Sequence, residues 1–176
     1  MNIVGLDLSL TATGIATDAG LFTVTTKSTD PMGKRLTNLR TEASAHIKHA
    51  QLLVIEGLFV GQINNTIKLA KVHGAFEMLA WVWSTPIAFI SPATLKKFAT
   101  GKGTGDKRDM SVEAFKRFGV EGKDDNQIDA FWLRFAGQIH YGDTLEDWPK
   151  DRVAALHAVN PKTKQPKVEW PAIGGA

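Results

Sequence analysis

Cysteine is absent from all 176 residues. Disulfides, thiolate zinc sites and cysteine nucleophiles are thereby excluded, and the composition is compatible with a reducing cytoplasm. Long apolar runs are missing too; none approaches the roughly 18 to 20 residues that a membrane helix needs. The N-terminus enters a strand almost at once, without a basic region, an apolar stretch and a cleavage site, so no secretory signal is expected. Negative charge is in short supply, with 18 Asp and Glu against 21 Lys and Arg. The excess is concentrated: between Pro92 and Lys123 eight basic residues face four acids, a local balance of +4 in a chain of net charge +3. An anionic partner fits that distribution, and so does an ordinary solvated helix surface.

What is present suits one domain with a real core, since 43% of the residues are hydrophobic. Residues 2–8, 14–18 and 21–26 read as three short strands, with Asp18-Ala19-Gly20 as a hairpin turn and Thr11–Gly14 as another turn. Leu36, Leu39, Ala43, Ile47 and Ala50 repeat at helical spacing over 33–50. Leu52–Ile55 form a continuous apolar run, the mark of a central strand covered on both faces. A long helix is predicted over 63–83, a fifth strand over 86–90, and a short helix started by Ser91 as N-cap and Pro92 at its first position. A glycine-rich loop, TGKGTGD (100–106), precedes a basic helix at 107–118, and a last helix runs over 125–140. The order predicts a mixed α/β fold. After Gly142 the chain holds four of its seven prolines and few strong core positions. Residues 1–143 are therefore expected to form the domain, and 144–176 a partly extended C-terminal extension with a helical turn or two around Arg152–Ala158.

Asp7, inside the apolar segment VGLDLSL, poses the functional question. A charge among buried neighbours is costly unless hydrogen bonds or a cation compensate it. Glu56 ends the apolar run of the fourth strand, and the two side chains meet at one sheet edge if those strands are neighbours. Asp125 and Asp129 are four apart on the last helix, share a face, and are expected on the buried side of its first turn. Such acids repel one another without a cation, and hard oxygen donors suit Mg²⁺ or Mn²⁺. The plain alternatives are a backbone-bonded Asp7, a surface Glu56, and Asp124 or Asp125 as a helix cap.

Four segments, GLDLSLTATGIA, VIEGLFVGQINNTIKLAKVHGA, SPATLKKFATGKGTGDK and DDNQIDAFWL, resemble the RuvC Holliday-junction resolvases of the ribonuclease-H-like superfamily. The match runs over roughly residues 1–140, and the short, loose sequence looks like a bacteriophage member. The resemblance implies a mixed five-stranded sheet, an antiparallel meander plus parallel strands, flanked by helices. It implies divalent-metal-assisted cleavage of four-way DNA junctions and perhaps other branched DNA, leaving 5′-phosphate and 3′-hydroxyl ends. Asp7, Glu56 and Asp129 would bind two Mg²⁺ or Mn²⁺ ions, with Asp125 as fourth ligand or Asn126 in its place. Lys96 and Lys107 would lie near the scissile phosphate, Lys107 as part of the catalytic set. Lys97, Lys102 and Arg108 would add phosphate contacts, and Phe59 would stack on an unpaired base. The helix Ile63–Trp83 would join two copies in a homodimer, Gly74 allowing close approach. The implied location is the cytoplasm, a host's if the chain is phage-encoded, with no membrane partner. A ribonuclease-H-like or flap and fork nuclease, or a non-catalytic branched-DNA-binding module, remain the alternatives. A two-domain actin-like ATPase would need a longer chain, and GKGTG lacks P-loop spacing.

Overall fold

The structure, a computed structural model, describes residues 1–58, 62–142 and 148–173. Five strands, β1 (Ile3–Asp7), β2 (Ala12–Thr17), β3 (Gly20–Thr25), β4 (Leu52–Glu56) and β5 (Ile87–Ile90), form one sheet in the order β3-β2-β1-β4-β5. The first three form an antiparallel meander; β4 runs parallel to β1, and β5 parallel to β4. Parallel neighbours need crossovers, supplied by α1 (Met32–Ile47) before β4 and α2 (Ile63–Val82) before β5. α3 (Pro92–Thr100), α4 (Lys107–Phe118), α5 (Asp125–His140) and α6 (Lys150–Leu156) follow. This is the predicted mixed sheet flanked by helices.

Both faces of the sheet are covered, which explains the unbroken apolar run of β4. Val4, Leu6, Leu53 and Ile55 pack with Leu39, Val72 and Phe76 on the side of α1 and α2. Ile3, Leu52 and Val54 point the other way, to Phe98, Trp132, Leu133 and Trp148. Local signals behave as their chemistry requires. The Ser91 side chain accepts a hydrogen bond from the Thr94 amide, and Pro92 opens α3. Gly101, with φ +81°, and Gly119, with φ +64°, end α3 and α4 in the left-handed region.

Two expectations need correction. β2 begins at Ala12, inside the segment read as a turn, because the buried Thr13 hydroxyl donates to the Ser9 carbonyl and closes the turn earlier. The segment after Gly142 is not poor in core positions: Trp148, Ala155, Leu156 and Val168 are buried in the same cluster as α3 and α5 or beside it. Arg152 ties α6 down by donating to the Ala99 carbonyl at 2.7 Å and to Glu113 at 2.9 Å. Isolated aromatics among prolines do not show a helical or strand period, so the sequence pattern missed them.

α5 lies directly on β1 and β2. A Cβ built at Gly5 would come within 2.0 Å of the Ala130 carbonyl oxygen, and one at Gly14 within 2.0 Å of the Asn126 carbonyl oxygen. Only glycine permits such backbone-to-backbone contact. Gly5→Ala is therefore expected to destabilise the fold by about 1–3 kcal/mol or more, a Tm loss of at least several degrees. Thermal unfolding followed by circular dichroism checks this, and an unchanged Tm would show that α5 is free to move off the sheet.

Candidate active site

β1 and β4 are parallel neighbours with Leu6 opposite Ile55, so the next residues, Asp7 and Glu56, end adjacent strands at one edge. Asp7 is also paired with Gly14 of β2, the glycine that admits the first turn of α5. That turn is anchored by Asp124, the N-cap, whose carboxylate accepts from the Gln127 amide at 2.9 Å and from the Thr23 hydroxyl at 2.6 Å. Asp129 follows one turn into α5 and lines a cavity of about 210 Å³ together with Asp7, Glu56, Lys96 and Lys107. Leu95 and Met110 form its apolar wall.

The three acids are short of compensation. Burial, then the neighbouring Glu56 and Asp129, push the Asp7 carboxyl up to about 8. Burial and Asp129 raise Glu56 to about 7. Burial raises Asp129 to about 6 against the opposing pull of Lys107. The turn after β1 offers Asp7 little help, because its donors serve one another: the Ser9 amide bonds the Thr13 hydroxyl and the Thr11 amide bonds the Ser9 hydroxyl. Buried Arg35 of α1 clamps that turn by donating to the Leu10 carbonyl and the Thr11 and Thr26 hydroxyls. No sequence pattern marked Arg35 as part of the support, since an arginine on an amphipathic helix reads as solvated.

Hard oxygen donors, partly desolvated and carrying unneutralised charge, match the chemistry of a divalent cation. As the side chains stand, no group of three or more Asp, Glu, His or Cys among the described residues is gathered tightly enough to hold one ion.

The remaining predicted residues fall in several places. Asp125 is not on the buried side as expected; its side chain is 53% exposed and binds the Lys107 ammonium at 3.1 Å. As the first residue of α5 it projects past the sheet edge toward the start of α4. The hydrogen bond to Asp125, then the charges of Asp129 and Asp7, raise the Lys107 pKa. Asp124, not Asp125, is the cap. Asn126 is half-buried, its backbone against Gly14. Lys96 enters the acidic cavity, whereas Lys97 turns to a separate groove on the other side of α3. Lys102 and Arg108 are exposed near the ends of the glycine-rich loop. Phe59 lies outside the described residues.

The raised carboxyls set a sign for pH dependence. Each keeps its proton to higher pH in the folded than in the unfolded chain, so their contribution is full below the ordinary carboxylate range and is lost as pH rises through about 6, 7 and 8. The metal-free protein should therefore lose Tm as pH rises toward 8. Asp7→Asn should recover on the order of 1–3 kcal/mol there, a few degrees in Tm. A variant less stable than wild type at that pH would mean that Asp7 is compensated within the fold.

No family model matches the chain. The crossover junction endodeoxyribonuclease RuvC of Prochlorococcus marinus (strain NATL2A) is 26% identical over 152 residues, spanning 78% of this chain and 97% of that protein. The RuvC of Gloeobacter violaceus (strain ATCC 29082 / PCC 7421) is 31% identical over 100 residues, 56% of this chain and 57% of that one. Among solved structures, Thermus thermophilus RuvC superposes with a TM-score of 0.68 at 18% identity, covering 81% of this chain and 97% of that chain. T. thermophilus RuvC in complex with Holliday junction substrate gives 0.65 at 17% identity, covering 76% and 90%. None of these named relatives is a bacteriophage protein, so they lend no support to that part of the resemblance. The chain has the ribonuclease-H-like fold seen in RuvC structures, and the two curated relatives named above are crossover junction endodeoxyribonucleases.

Proposed function

We propose that this protein is a structure-specific endodeoxyribonuclease that cleaves four-way DNA junctions. One observation carries the reading: three half-buried or buried acids from β1, β4 and α5 line one open-sided cavity, with two lysines as the facing cations. Relatives named as crossover junction endodeoxyribonucleases support the choice of substrate. Asp7, Glu56 and Asp129 would hold divalent cations, Mg²⁺ or Mn²⁺ and two per site, and Asp125 would join them as the fourth carboxylate only on releasing Lys107. Bound there, such ions activate water and neutralise charge on the scissile phosphate and the leaving oxygen. The chain supplies the rest. β1 and β4 fix two carboxylates on rigid backbone, and α5 places the third. Lys96 and Lys107 bring positive charge to the cavity and would orient a phosphate between them. Asp125 keeps Lys107 turned to the site. Hydrolysis would leave 5′-phosphate and 3′-hydroxyl ends.

A four-way junction carries two symmetric strands to be cut, which calls for two sites. We assign the second site to a second copy docked along α2. Ile63, Ile67, Ala70, Gly74, Met78 and Trp81 recur at helical spacing and form an exposed stripe, Trp81 being 86% exposed. A Cβ built at Gly74 would meet no other part of the described residues within 4 Å, so a close approach within the chain does not account for a helix-weakening glycine there.

Asp7→Asn should abolish cleavage of a synthetic four-way junction in Mg²⁺ or Mn²⁺ and leave junction binding intact. Residual cleavage at the wild-type rate would remove Asp7 from the chemistry, and preference for a flap, a fork or an RNA–DNA hybrid would redirect the substrate assignment. Trp81→Glu should convert the dimer to a monomer in sedimentation velocity at micromolar concentration. A variant that sediments as wild type does would move the interface off α2.

A further inference from the structure

We infer that the C-terminal hairpin and α3 form a second DNA-backbone site, a lysine-lined groove that holds the duplex arm next to the cleaved bond. The inference rests on the nuclease reading and extends it to a part of the chain that the acidic cavity does not use.

The groove has a volume of about 550 Å³ and lies between α3, α6 and residues 158–167. Its hairpin wall is built rather than ragged. Val159 pairs with Pro166 in an antiparallel bridge. The Asn160 amide donates to the Gln165 carbonyl at 2.8 Å, the Lys167 amide to the Ala158 carbonyl at 2.8 Å, and the Lys164 amide to the Asn160 carbonyl at 2.9 Å. The Asn160 side-chain carbonyl accepts the Lys162 and Thr163 amides, and Lys164 sits in the left-handed region with φ +61°. The base is pinned: Trp170 donates to the Leu156 carbonyl and stacks on His140 with ring centroids 4.2 Å apart. A hairpin so fixed presents Lys162, Lys164 and Lys167 to solvent in a set arrangement.

Charge selects the occupant. Lys97 and Lys167 line the groove and Lys162 and Lys164 flank its hairpin wall, while Lys102 adjoins the lining residue Gly103. Asp151 is the acid that lines it. The rest of the lining mixes hydrogen-bonding groups, Ser91, Thr94, Asn160, Thr163 and Gln165, with small apolar ones, four alanines and Pro166. The lysines and hydrogen-bonding groups together suit a phosphodiester backbone.

Position links the groove to the acidic cavity. α3 is the partition between them: Pro92 and Lys96 line the cavity, and their sequence neighbours Ser91 and Lys97 line the groove. A helix with its side chains is about 10–12 Å across, about three rises of 3.4 Å along a DNA duplex axis. A duplex arm whose axis crosses α3, with one phosphate at the carboxylates, therefore brings a phosphate about three nucleotides away to the groove.

The test uses the full chain with Lys162→Gln, Lys164→Gln and Lys167→Gln combined, all at exposed positions. A four-way junction is bound in Ca²⁺ over a range of salt, and cleavage is measured with saturating protein in Mg²⁺. Expected are an unchanged Tm, a junction affinity about tenfold weaker near 0.15 M salt, and a log–log salt slope reduced by about 2–3, at 0.9 per lost phosphate contact. Cleavage of the saturated junction should stay at the wild-type rate. Wild-type affinity and slope in the triple variant would overturn the groove assignment and leave the nuclease reading intact. A wild-type chain that neither binds nor cleaves the junction would overturn both. Because the chain has no cysteine, Lys164→Cys supplies a single thiol for cross-linking to a thiol tethered on the DNA backbone. Cross-links centred about three nucleotides from the cleaved bond are expected, and cross-links scattered over all arms would overturn the placement even if affinity falls.

Discussion

Backbone contact between α5 and the first two strands governs this molecule. With hydrogen in place of a side chain at Gly5 and Gly14, α5 lies on the sheet where a methyl group would be excluded. Every acid of the site then has its position. Asp7 leaves β1 beneath the first turns of the helix, Glu56 ends the strand beside it, and Asp129 descends from the helix itself. The aromatic cluster of Phe98, Phe118, Trp132, Phe135 and Trp148 holds α5 from its other side. The helix is thus clamped between the sheet and a dense apolar layer, and its carboxylate is placed by packing more than by hydrogen bonds.

That clamp has an electrostatic consequence. Three acids gathered at a partly desolvated edge retain protons into the neutral range, because ionising them there is opposed by burial and by their like charges. Two lysines offset part of this, and Asp125 pairs with one of them, Lys107, in turn. Oxygen donors so placed, once ionised, match the chemistry of a divalent cation. The same logic separates the two basic features along α3. Lys96 answers the acids within the cavity, whereas Lys97 and Lys167 line the groove on the other side of α3, where Asp151 is the acid beside them.

Much of this was legible in the residues. The apolar run of β4 announced a strand covered on both faces, and Ser91-Pro92 announced the start of α3, because caps and periods act within a few residues. Asp7 stood out because a carboxylate in an apolar strand demands a reason. The roles of Asp124 and Asp125 were less legible: both are acids at a helix start, and which one caps depends on whether Thr23 or Lys107 lies within reach. Arg35 gave no signal at all, since its partners, the turn at Leu10–Thr11 and Thr26, are brought to it by the sheet.

By itself the sequence determined the identity and order of the elements, the apolar faces that pair them, and the candidate acids, for these follow from local spacing and side-chain polarity. Tertiary structure alone decided that Asp129 joins Asp7 and Glu56 while Asp125 turns outward to Lys107, and that Trp148 and Val168 return to the core. It also decided that Lys97 and Lys167, seventy positions apart, line one groove. Contacts between residues roughly 20 to 120 positions apart depend on how strands order and helices cross, and no local pattern carries that information.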